Sequence, residues 1–340
     1  MRFFASVRRV GPGPDFELAL QYATTLSPAV SYPETPAFPL PLPLIPSDAE
    51  CTLLRELLNP AYFSAAMIAR LRTQFVETSQ LVLGQFLRPD IATELEALIR
   101  AVDTKSEAGR RGAIVGGRKT NKVTPQDEGE DPANGWTIVG PPHIQRFLSF
   151  APAAATTPGR LEVLLAQISA MLVSPAFRAM LAALTDLLPT AHTCHVRRFR
   201  PGVDYTLARG ETEDGEARLD VGLGLTPVPG SDADKELWES GDVGAWEMWL
   251  AGDEGGDEAT YGAGGGGKKD SGEAGADDDD DGPLLALEPG WNTLNLVLRD
   301  PGVLKFVKYV SAKAPGSRWD VGGEWEVVNV EEDGEAEAEA

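Results

Sequence analysis

The chain has 340 residues and 42% hydrophobic side chains, enough for a large core, and it carries a formal net charge of −22. Eleven acids and two lysines fall in 251–282, and six acids without a base fall in 328–340, so the remainder is only mildly acidic. That balance argues against non-specific nucleic-acid binding, which depends on Lys and Arg neutralising phosphates.

Residues 1–50 do not read as a domain. The stretch SYPETPAFPLPLPLIP is proline-rich and reads as a stiff, extended linker or remnant with little fold of its own. A ligand for an SH3 or WW domain is the alternative. Helices follow. Ser64 suits an N-cap, with Met67, Ile68, Leu71 and Phe75 at helical spacing after it. Pro89 suits the first turn of a second helix that carries Ile91, Leu95, Leu98, Ile99 and Val102 on one face. Both stripes read as core-facing.

Residues 103–133 are polar and Gly-rich and read as a loop. Arg110, Arg111, Arg118, Lys119 and Lys122 form a basic cluster there, a solvated patch or, alternatively, a nuclear-localisation or anion-binding segment. Gly112–Gly117 before Arg118 has the outline of a phosphate loop, but the lysine comes one place late and no buried strand precedes it. Gly135–Phe150 reads as a turn-rich apolar connector. Two more helices are expected. One carries Leu161, Leu164, Leu165, Ile168 and Leu172. The other is capped by Ser174, starts at Pro175 and runs through Phe177, Leu181, Leu184 and Leu188.

After Pro189 the pattern becomes strand-like: HTCHVRRFR, LDVGLGLTPV, AWEMWLA, LLALEPGWNTLNLVL and LKFVKYVSA are separated by Gly, Pro and Asp turns. Many strands after a helical block predict an α+β domain, a barrel braced by helices, over 51–327. Residues 251–282 are glycine and acid and are expected to form a disordered insertion between strands; 328–340 is an acidic tail. Cys51 and Cys194 are far apart and give no disulfide framework, which fits a reducing compartment. The N-terminus lacks the apolar core of a signal peptide and no apolar run reaches membrane-span length. The expected compartment is the cytoplasm and/or the nucleus.

The histidines are His143, His192 and His195, and no His-x-Asp or His-x-Glu occurs. His192, Cys194 and His195 are possible ligands within four residues, but strand alternation puts His195 opposite the other two, so ordinary barrel residues are the simpler reading than a zinc site or a Cys–His pair. Trp291, Trp319 and Trp325 sit among acids and are expected to pack the barrel, not to stack bases.

The blocks DPANGWTIVGPPHIQRFLSF, RRFRPGVDYTLA, LDVGLGLTP, GWNTLNLVLRD and FVKYVSAKAPGSRWDVGGEWEV resemble the C-terminal, degradation-type domain of the fungal two-domain 2-oxoglutarate/iron prolyl hydroxylases. LLNPAYFSAAMIARLRTQF resembles the start of that second domain. The resemblance implies a double-stranded β-helix, or jelly roll, that keeps the oxygenase fold without iron ligands. It implies a family using Fe(II), 2-oxoglutarate and ascorbate and acting in translation and oxygen sensing. The chain itself is then expected to hold no metal or cofactor and to act as a non-catalytic interaction and regulatory domain. Its partners would be proteins of the translation machinery or a degradation-regulated factor, with no direct contact to nucleic acid or membrane. The alternative is a prolyl hydroxylase fragment whose catalytic domain is missing from the chain, by biology or through the gene sequence. By resemblance the iron-ligand strand falls at Asp204, Tyr205 and Thr206, and the distal ligand at Phe306 or Val307. Arg318 falls near the 2-oxoglutarate arginine as a vestigial cofactor position; pairing with Asp320 or Glu324 is its ordinary reading.

Overall fold

The computed structural model describes residues 29–32, 48–112, 114–115, 118–119, 129–208, 217–228, 230–251 and 283–329. The proline-rich stretch, the side chains of the basic cluster, nearly all of the acidic insertion and the end of the acidic tail lie outside them. In chain order the elements are β1 (Val30–Ser31), α1 (Asp48–Leu57), α2 (Ala65–Thr78), β2 (Gln80–Gly84), α3 (Pro89–Gly112), the short hairpin β3 (Ile114–Val115) and β4 (Arg118–Lys119), β5 (Trp136–Val139), β6 (Gln145–Phe150), α4 (Arg160–Leu172) and α5 (Pro175–Thr185). The barrel continues with β7 (Leu187–Phe199), β8 (Tyr205–Thr206), β9 (Arg218–Leu225), α6 (Asp232–Glu239), β10 (Glu247–Leu250), β11 (Leu285–Leu287), β12 (Trp291–Arg299), β13 (Leu304–Val307) and β14 (Arg318–Asn329).

Local chemistry sets the helix ends. Ser174 Oγ accepts from the Phe177 N–H and Pro175 occupies the first turn, so α5 starts where the sequence places it. It stops at Thr185, because Asp186 turns left-handed at φ 63°. Leu188 therefore belongs to β7, a correction to the expected helix. Ser64 stands at the start of α2 in extended backbone, but its side chain makes no capping bond. Two further segments differ from expectation. Helix α3 runs on to Gly112, into the stretch read as loop. The connector read at 135–150 contains an antiparallel pair, β5 and β6, registered from Trp136 opposite Phe150 to Val139 opposite Phe147.

The larger sheet has the order β2-β12-β9-β14-β7-β6-β5, with β1 added on β7 and β8 on β6. The smaller has the order β11-β10-β13. From β9 onward the chain passes back and forth between the two sheets, which makes the molecule a helix-braced double-stranded β-helix. The outer face of the larger sheet is apolar. Val196, Leu219, Val221, Leu223, Leu294, Leu296, Trp319, Val321 and Trp325 pack in one core with Leu71 and Phe75 of α2, Leu95 and Ile99 of α3, Leu165 and Ile168 of α4 and Phe177 and Leu181 of α5. Among the described residues no single helix is long and apolar enough to cross a membrane.

Strand β14 is the centre of this sheet, paired along β7 on one side and β9 on the other. Its midpoint is Gly322-Gly323 for a steric reason. A Cβ on Gly322 would sit 2.1 Å from the Val221 carbonyl oxygen, and one on Gly323 would sit 1.8 Å from that of Thr193. No side chain fits either place without moving a strand.

Candidate functional site

The inner face of the same sheet is charged. Strand alternation turns Arg197 of β7, Asp220 of β9, Arg299 of β12 and Arg318, Asp320 and Glu324 of β14 toward the smaller sheet. The smaller sheet answers with Glu247 and Trp249 of β10 and Lys305 of β13. The result is a closed set of ion pairs inside the barrel.

Arg197 holds Asp320 in a fork, Nε to Oδ1 at 2.6 Å and Nη2 to Oδ2 at 3.1 Å, and reaches Glu247 at 3.4 Å. Arg318 donates to Asp320 at 3.0 Å, to Glu247 at 3.3 Å and to the Ala245 carbonyl at 2.6 Å. Lys305 bridges Asp220 at 3.1 Å and Glu247 at 3.5 Å. Arg299 joins Asp220 at 3.1 Å to Glu324 at 2.9 Å, and the Trp249 indole donates to Asp220 at 2.8 Å. Four cations thus face four carboxylates. Only Glu324, with a side chain 30% exposed, reaches well toward solvent.

Burial and charge push these groups in opposite directions. Burial favours the neutral acid of Glu247, but Lys305, Arg318 and Arg197 around it outweigh burial and hold its carboxyl down at about 2. Asp220 is raised, because burial outweighs Lys305 and Arg299 there. Lys305 is raised by Asp220 and Glu247 against the desolvation that opposes it. The neighbouring group His195, which faces the same interior, is lowered to about 4, first by burial and then by Arg197.

The residues expected to matter from the sequence are placed as follows. Arg318 does lie inside the barrel, with Asp320 as a partner as expected. Glu324 pairs with Arg299 instead. Asp204 is fully buried and engaged: the Arg200 backbone N–H and Nε donate to its Oδ2 at 2.7 Å each, and Arg200 Nη2 donates to Oδ1 at 2.9 Å. Thr206 Oγ1 accepts from the Val307 N–H at 2.7 Å, tying β8 to β13. Phe306 and Val307 are buried. His192 and Cys194 point to the helix side and His195 to the barrel interior, as strand alternation requires. Cys194 lies beside Ser169 of α4, and burial pushes its thiol up to about 12. Trp319 and Trp325 are buried in the core and Trp291 packs against it. Sequence reasoning missed Glu247, Lys305, Asp220 and Arg299, which come from four separate strands.

A 2-His-1-carboxylate iron site needs two imidazoles and a carboxylate converging with open positions between them. The barrel interior offers one imidazole, His195, and carboxylates already held by arginine and lysine. Among the described residues no three His, Cys, Asp or Glu side chains converge so as to hold an ion. The residues present do not fit Fe(II), and the Arg318 donors that would face 2-oxoglutarate are taken by Asp320, Glu247 and the Ala245 carbonyl.

A double-stranded β-helix with an ion-paired interior defines an oxygenase-type barrel. The model of the family described as "oxoglutarate and iron-dependent oxygenase degradation C-term" matches residues 49–333, so the chain belongs to that family. A curated relative, a prolyl 3,4-dihydroxylase of Ostreococcus tauri, is 29% identical over 282 residues, which cover 82% of this chain and 49% of the relative. The chain thus spans about half the length of the curated relative it matches. Among solved structures, a Pseudomonas putida prolyl-4-hydroxylase aligns with 76% of this chain and 98% of its own at 14% identity, TM-score 0.41. A Trichoplax adhaerens prolyl hydroxylase, solved with a hypoxia-inducible-factor peptide, aligns with 77% of this chain and 89% of its own at 10% identity, TM-score 0.38.

Proposed function

We propose that this is a non-catalytic interaction and regulatory domain of the prolyl-hydroxylase type. The observation that carries the reading is the interior of the barrel: where an oxygenase keeps iron and its co-substrate, this chain keeps four cations and four carboxylates paired with one another. Such a barrel can present surfaces, and among its described residues the interior carboxylates are held by arginine and lysine. Its partners are proteins, in the family setting the translation machinery or a factor whose degradation is controlled in oxygen sensing, and its compartment is the cytoplasm and/or the nucleus.

The experiment is turnover. Purified protein is mixed under air with Fe(II), 2-oxoglutarate, ascorbate and a proline-containing ribosomal peptide, and succinate is measured. Succinate at the level of the buffer blank is expected. Succinate above it that disappears in a His195→Gln variant would overturn the reading.

The relative's twofold length favours a second reading, in which this domain is one half of a prolyl hydroxylase and another domain does the chemistry. Transcript reads that continue upstream of Met1 in frame into a His-x-Asp barrel would select it.

A further inference from the structure

Strand β1 is a small piece of chain on the edge of a long strand. Val30 stands opposite His192 and Ser31 opposite Ala191, and the Tyr32 N–H donates to the Thr190 carbonyl at 2.9 Å. Fifteen residues separate Tyr32 from α1. Val30 is 55% exposed and Ser31 is exposed, so one side chain of the segment, Tyr32, enters the domain.

The place it enters is built by three elements, α5, β7 and β14. Arg178 of α5 lies over the Tyr32 ring at 4.2 Å from the centroid and is fixed by donating Nε to the Pro189 carbonyl at 2.7 Å. The His192 ring lies 5.0 Å from that of Tyr32. The Trp325 indole of β14 donates to the Tyr32 hydroxyl at 3.2 Å. The slot therefore has a cation over one ring face, an aromatic wall and a hydrogen-bond donor at its end, the chemistry that selects a phenol.

His192 is 7% exposed, and its Nδ1 has no hydrogen-bond partner among the described residues. A buried nitrogen without a partner is costly.

We propose that the β7 edge at Thr190–His192, with the Arg178–His192–Trp325 slot beside it, is a strand-addition site for an extended peptide presenting a tyrosine, kept closed in cis by this chain's own residues 30–32. The binding mode is β-augmentation: main-chain bonds to the edge give affinity and the tyrosine slot gives selection. Because the segment belongs to the same chain, it competes as an intramolecular ligand, which closes the site to weak competitors.

The test uses a labelled peptide with the sequence of residues 27–34, SPAVSYPE, and the full-length chain carrying Tyr32→Ala, which empties the slot. Saturable binding to Tyr32→Ala is expected, at least tenfold weaker binding to the unaltered chain, and none by a peptide with alanine in place of the tyrosine. Adding Arg178→Ala to the Tyr32→Ala chain weakens binding at least tenfold while thermal unfolding stays cooperative. A peptide that binds neither chain, binds both alike, or binds equally well without its tyrosine would overturn the proposal. If Tyr32→Ala does not fold, hydrogen exchange of the unaltered chain decides. The Tyr32 amide is expected to exchange at least a hundredfold faster than the amides of β14, and exchange at the β14 rate would make the segment part of the core.

Discussion

The two faces of the larger sheet are made by alternate residues of the same strands, yet they follow different rules. On the helix side, Leu219, Val221 and Leu223 alternate with Asp220 and Gly222 on the barrel side, and in β14 Trp319 and Val321 alternate with Arg318 and Asp320. The helix face is held by area removed from water, which is forgiving of partner identity. The barrel face is held by charges whose worth depends on every partner being present, because a buried ion pair gains little over an apolar pair but is expensive to break. The helix face thus keeps the fold, and the barrel face fixes the spacing of the two sheets.

The largest expected effects set these faces against each other. Trp325→Ala should lower stability by about 3–5 kcal/mol through lost burial and the cavity left behind. Glu247→Ala should cost about 3–5 kcal/mol for another reason: Arg197, Lys305 and Arg318 lose a shared carboxylate in the interior. Denaturant unfolding measures both. Adding Lys305→Met should restore part of the stability in the Glu247→Ala background and none of it in the Trp325→Ala background. Equal additivity in both would show that the interior charges do not act as a network.

The acid limb of stability should separate the faces further. The folded Glu247 carboxyl is held at about 2 against a usual 4.5, so its contribution is present above pH 4.5 and is lost as pH falls toward 2. Thermal midpoints across that window should fall steeply, and Glu247→Gln should flatten the fall. His195 acts at milder pH. Its folded value of about 4 lies below the usual 6.5, so the unfolded chain takes up the proton first and stability declines as pH drops from 6.5 to 4, then levels. His195→Gln should abolish that decline. An unchanged pH profile would place His195 in contact with water.

The helix face was largely legible in the sequence. The stripes Leu71 and Phe75, Leu95 and Ile99, and Leu164 through Ile168 are periodic within one segment, and periodicity is a local signal. Leu188 reads as helix from the sequence because an apolar residue just past a helix end fits either period. The end itself is set by the left-handed Asp186 backbone. The β5–β6 pair was hidden by Pro141 and Pro142, which lie in the turn between the strands. The barrel face was legible only where its partners are neighbours in sequence, as with Arg318 and Asp320. Lys305 with Asp220, or Arg299 with Glu324, meet only after four strands have been registered, and nothing local marks them.

The smallest expected effect concerns residues 253–281, which lie outside the described residues. Replacing 253–281 with a short Gly/Ser linker should change the thermal midpoint by no more than a few degrees, since each doubling of loop length costs only about 0.6 kcal/mol. A larger fall would mean that the acidic insertion packs against the barrel.

The most direct test of the central claim, that this barrel's interior is filled by its own charges, is an anaerobic titration of the full chain with Fe(II) and 2-oxoglutarate, followed by visible absorbance and calorimetry. The account predicts no saturable heat and no visible chelate band. A one-to-one isotherm with a chelate band, lost on Arg318→Ala while the thermal midpoint of that variant shows it folded, would contradict it and return the barrel to the iron enzymes.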